Sequence, residues 1–85
     1  PKQSIGIGLL SQIIQDIEKA PFAPNKIVKY FPQTGYIKVI FSNLAISSLY
    51  YLYIKDLAKT TKYKSLIKYV RLNHDRDILI KLNEL

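Results

Sequence analysis

Cysteine is absent from this chain of 85 residues, so neither a disulfide nor a cysteine-based zinc site contributes to its stability. Histidine occurs once, at position 74, and the six acidic residues are scattered. His74 stands beside Asp75 and Arg76 in a polar turn, with no serine at a spacing that completes a catalytic triad. His74, Asp75 and Asp77 are too few, within one turn, for the three or four ligands of a metal site. Asp16 and Glu18 point to different sides of a helix, and Gly6 and Gly8 lack the following Gly and Lys of a phosphate loop. The expectation is a non-enzymatic protein with no catalytic residue, no metal and no cofactor.

Long apolar runs are also missing. The richest stretch, from Tyr36 to Ile54, is interrupted by Lys38, Ser42, Asn43, Ser47 and Ser48. It falls short of the ~20 predominantly apolar residues of a spanning helix. Residues Pro1 to Gly8 lack a basic head followed by an apolar run, so no secretory signal is read there. These absences predict no membrane partner and a cytoplasmic or nucleoid-associated protein.

What is abundant is positive charge. Thirteen Lys or Arg face six Asp or Glu, a formal net charge of +7, and 48% of the residues are hydrophobic. A surface of this kind attracts polyanions, and the apolar fraction is ample for a core. The length suits one small domain, which buries only about 60–65% of the surface of its unfolded chain. Its stability must come from dense packing or from a second subunit.

Proline and glycine divide the chain. A helix is predicted over about 8–20, because Leu10, Ile13, Ile14 and Ile17 share one face and Pro21 stops it. Pro21 to Asn25 form a linker. Over about 27–41, Ile27 to Phe31 and Tyr36 to Phe41 are rich in β-branched and aromatic residues, with Pro32-Gln33-Thr34-Gly35 between them. This reads as a hairpin, or as a short helix capped by Asn25 followed by one strand. A second helix is predicted over about 43–59, capped by Ser42 or Asn43. It carries Ile46, Tyr50, Tyr53 and Leu57 in one stripe. Leu44, Tyr51 and Ala58 lie on its other side, and a helix apolar on both sides suggests a homodimer interface. A third, basic helix is predicted over about 61–72. There Tyr63, Leu66, Ile67 and Val70 face inward, and Lys64, Lys68 and Arg71 face outward. The C-terminal element, 77–85, fits a helix capped by Asp77 and a strand through Ile78, Ile80 and Leu82, with the helix slightly preferred for its Leu, Lys and Glu.

The run from Asp56 to Leu72 resembles the helix-turn-helix of DNA-binding proteins. A helix ends at Leu57-Ala58, a polar turn follows, and a second segment carries basic residues. The resemblance implies a recognition helix in the major groove. Lys64, Lys68 and Arg71 would then meet phosphates or base edges, and Thr60, Thr61 and Lys62 would contact phosphate at that helix's N-terminus. The implied fold is α+β, mainly helical: a winged-helix-like domain with one or two short strands. The implied function is duplex DNA binding by a transcription regulator or a plasmid or viral partition protein.

Leu57-Ala58-Lys59-Thr60, Tyr69-Val70-Arg71 and Ile80 to Leu85 are similar to a helical stretch of a large-subunit ribosomal protein family. That similarity implies the alternative of a structural RNA-binding subunit. A protein-interaction module using the apolar back of the 43–59 helix is the further alternative. Among the seven tyrosines, Tyr30, Tyr36 and Tyr69 are the candidates for stacking on bases.

Overall fold

The computed structural model describes residues 2–19, 26–42, 44–73 and 77–83. The linker expected at 21–25, Asn43 with its expected capping role, the expected turn with His74, and the last two residues lie outside them; the residue before the second helix is Ile46, which makes no side-chain cap.

Helix α1 spans Lys2–Glu18. Its apolar stripe does what the spacing dictates: Ile13 and Ile17 are fully buried, and Leu9, Leu10 and Ile14 pack beside them. Strands β1 (Lys26–Phe31) and β2 (Tyr36–Phe41) form an antiparallel hairpin. Gly35 takes φ +70 in the connecting turn, and its N–H donates to the Phe31 carbonyl at 2.9 Å. Along β2 burial alternates, with Ile37, Val39 and Phe41 inward. A 3-10 turn at Leu44–Ile46 leads into helix α2 (Ser47–Ala58), which buries Tyr50 and Ile54. Turns then carry the chain to β3 (Ile67–Asn73) and β4 (Asp77–Leu82).

The four strands make one antiparallel sheet in the order β1-β2-β4-β3. Both helices contribute to a single core against one face of it. That core joins Ile13 and Ile17 of α1 and Tyr50 and Ile54 of α2 to Ile37, Val39, Phe41, Ile67, Ile78, Ile80 and Leu82 of the sheet. The Phe41 and Tyr50 rings meet at 4.9 Å between centroids. Each fully buried Ile contributes about 1.5–3 kcal/mol of transfer free energy.

This architecture overturns the mainly helical, winged-helix-like expectation. The scaffold is a four-stranded sheet, and the basic recognition helix does not exist. Residues 61–66 form consecutive turns, in which Tyr63 N–H and Lys64 N–H both donate to the Thr60 carbonyl, and residues 67–73 are a strand. The reason is that Ile67, Tyr69 and Val70 are β-formers that find a paired partner in β4. Inward residues at 63, 66, 67 and 70 satisfy a helical period, yet a turn followed by a bulged strand buries the same set. The C-terminal element is also a strand, not the preferred helix. β4 is a central strand with a ladder on each side, which outweighs the few tenths of a kcal/mol that Leu and Lys gain in a helix. The helical ribosomal stretch fails for the same reason, since 69–71 and 80–82 are sheet.

A β-bulge at Lys68 decides which way β3 faces. Ile67 pairs with Leu82 and Tyr69 pairs with the adjacent Lys81, so Lys68 is an extra residue on its strand. Were Lys68 paired in a regular ladder instead, Ile67 and Tyr69 would share a face. With the bulge, Ile67, Val70 and Leu72 pair with inward residues of β4, while Tyr69, Arg71 and Asn73 pair with outward ones.

Candidate nucleic-acid interface

Residues paired across antiparallel strands stand on the same face, so the registers lay out the face that the helices leave open. Its end row is Phe31, Tyr36, Lys81 and Tyr69; the middle row is Lys29, Lys38, Leu79 and Arg71; the third is Ile27, Ile40, Asp77 and Asn73. Four cations and three aromatic rings thus share one surface with a single carboxylate. That carboxylate is largely neutralised: Asp77 accepts from Asn73 Nδ2 at 2.8 Å and lies 3.6 Å from the Lys38 ammonium.

The end row is internally braced. Tyr36 and Tyr69 lie on strands separated by β4, roughly 10 Å apart at the backbone, yet their hydroxyls hydrogen-bond at 2.9 Å. Between them, the Lys81 ammonium donates to the Thr34 carbonyl at 2.6 Å and stands 4.8 Å from the Tyr36 ring centre. The Arg71 guanidinium stands 5.1 Å from the Tyr69 ring. The hydrogen bond to Tyr36, helped by desolvation, raises the Tyr69 pKa against the lowering effect of Arg71 and Lys81. Phe31, on edge strand β1, is 41% exposed, and Ile27 is 56% exposed. Apolar surface of these two side chains therefore faces water beside the lysines of the same face.

The sequence-predicted contact residues are dispersed. Thr60, Thr61, Lys62 and Lys64 lie in the exposed turns between α2 and β3. There the Thr60 hydroxyl caps α2 by donating to the Leu57 carbonyl at 2.7 Å, and Lys62 stands over the Tyr63 ring. Lys68 sits in the bulge at the sheet's edge, and Arg71 alone reaches the open face. Of the expected dimer residues Leu44, Tyr51 and Ala58, Leu44 lies in the 3-10 turn before α2, and Tyr51 and Ala58 pack against the chain's own core, while Leu49 and Leu52 are large side chains that α2 exposes. Helical indexing missed Lys29, Lys38, Lys81 and Phe31. The signal that finds them is the two-residue alternation of β1, β2 and β4, once the inward face is known.

Among the described residues, no three His, Asp or Glu side chains are grouped to hold a metal ion. No helix among them is long and apolar enough to cross a membrane. Compared with family models, with curated proteins and with solved structures, the chain matches none.

Proposed function

We propose that this is a non-enzymatic nucleic-acid-binding protein whose contact surface is the open face of the sheet. The observation that supports it is the row of Lys29, Lys38 and Arg71 beside the row of Phe31, Tyr36, Lys81 and Tyr69 on one uncovered face. A net charge of +7 steers polyanions to the molecule. The face then supplies ammonium and guanidinium groups for phosphates and apolar surface for sugars and bases. Such a role belongs in the cytoplasm or on the nucleoid.

The test is titration of the full chain against labelled duplex DNA, single-stranded DNA and RNA at several salt concentrations. Lys29→Ala and Arg71→Ala are each expected to weaken binding and to flatten the slope of log K against log salt by roughly 0.7–0.9. Lys64→Ala, in the turn, is expected to change it less. Absence of salt-dependent binding to every form would overturn the proposal.

A homodimer joined through the outer side of α2 is part of the same proposal. Leu49 and Leu52, 50% and 57% exposed, give two copies an apolar contact; because α2 packs on the face of the sheet opposite the open one, such a dimer turns its two open faces outward, each toward its own stretch of nucleic acid. Sedimentation equilibrium of the wild type and of Leu49→Glu tests it; a monomeric wild type at high concentration would exclude it.

A further inference from the structure

We infer that the preferred ligand is a single-stranded nucleic acid whose bases stack on the end row of the sheet, at Phe31, Tyr36 and Tyr69. This rests on the proposed function and names its ligand. Three features favour a single strand over a duplex. First, the surface offers rings. Bases in a duplex have their faces covered by one another, whereas an unpaired base presents a face that an exposed aromatic can cover. Second, the surface is poor in the groups that read groove edges. Base-edge recognition uses forked or amide side chains such as Arg, Asn and Gln. Of these the open face has Arg71, which lies against the Tyr69 ring, and Asn73, whose amide donates to Asp77. Third, the rows are spaced for nucleotides. The aromatic row and the cationic row are two residues apart along each strand, about 7 Å. A base lying on Phe31 therefore has Lys29 within reach of its own phosphate.

The bracing described above bears on this use. The hydroxyl bond between Tyr36 and Tyr69 and the Lys81 anchor to Thr34 hold the two rings before any ligand arrives. Less side-chain freedom is then lost on binding. Because every base has a π face, the binding tolerates any sequence.

The experiment is fluorescence anisotropy of the full chain with a labelled oligonucleotide of about twelve nucleotides and with the same sequence annealed to its complement. The single strand is expected to bind more tightly. Phe31→Leu keeps an apolar side chain but removes the ring, and it is expected to weaken single-strand binding by roughly five-fold or more with an unchanged salt slope. Phe31→Trp is expected to restore it. Circular dichroism and the melting temperature of each variant confirm that the fold is kept, and Tyr69→Leu gives a second reading of the same row. Tighter binding of the duplex, or a Phe31→Leu variant that is folded and binds the single strand as the wild type does, would overturn this inference and leave nucleic-acid binding standing. Binding to neither form would overturn both.

Discussion

The Tyr63 hydroxyl donates a 2.5 Å hydrogen bond to the Asp16 carboxylate, tying the turn before β3 to the last turn of α1. Two more tyrosines act at the same place. Tyr50 donates to the Ile17 carbonyl at 2.8 Å and Tyr53 to the Asp16 carbonyl at 3.3 Å. The last carbonyls of a helix have no partner within it, and here phenols from α2 supply two of them. Tyr63→Phe removes only the hydroxyl from a buried site and leaves a charged acceptor with one donor fewer. It is expected to cost about 1.5–3 kcal/mol, read from the urea midpoint. A variant as stable as the wild type would show that water replaces the bond at no cost.

The same three phenols predict alkaline sensitivity. Burial, followed by the neighbouring Tyr53, pushes Tyr50 up to about 12 from 10.0. Burial and the Asp16 charge raise Tyr53, and burial, the hydrogen bond to Asp16 and the Asp16 charge raise Tyr63 further. The folded state therefore holds these protons more tightly than the unfolded chain. The stability they contribute is fully present below pH ~10 and declines as pH rises from there through the folded-state values. Urea midpoints between pH 8 and about 12 are expected to fall steeply above 10, and less steeply in Tyr63→Phe. A flat profile would refute the linkage.

Lys68 matters through the conformation of its bulge and not through its side chain. Lys68→Ala is expected to alter stability by less than about 0.5 kcal/mol. Deleting the residue joins Ile67 to Tyr69 and leaves a regular ladder in which Val70 and Leu72 still face inward, so the fold is expected to be kept. Inserting one alanine between Tyr69 and Val70 instead turns Val70 and Leu72 outward or breaks the register. Loss of two packed aliphatic side chains is expected to cost at least about 3 kcal/mol. A thermal melt separates the deletion from the insertion, and near-equal melting temperatures would show that the register of β3 is not what holds it.

Gly35→Ala forces an L side chain into φ +70. The added Cβ meets the Lys81 ammonium at 3.3 Å and the Leu82 carbonyl at an ordinary contact distance of 3.9 Å; a small shift of the ammonium relieves the first, so the backbone conformation sets the cost at about 1–2 kcal/mol. Gly35→Asn is expected to lose less, because Asn tolerates this region. Equal losses for Ala and Asn would point to crowding at Lys81.

By itself the sequence determined the strong positive charge, the buried stripe of α1, the strand-forming composition of Tyr36 to Phe41 and the turn at Pro32 to Gly35. Each of these is a local property: a count, a periodicity within one element, or a residue able to take positive φ. The tertiary structure alone decided the rest. Tyr63, Leu66, Ile67 and Val70 fit a helical face, and Ile78, Ile80 and Leu82 fit either element, because short apolar runs satisfy both periods. Pairing with β3, its neighbour in sequence, and with β2, distant in sequence, made Asp77–Leu82 a central strand. The bulge at Lys68 then set which side chains of β3 turn away from the core. The open face could not be read before that, because it is defined by the position of the two helices. Lys29, Lys38, Arg71 and Lys81 come from four strands, and only the cross-strand registers bring them onto one surface.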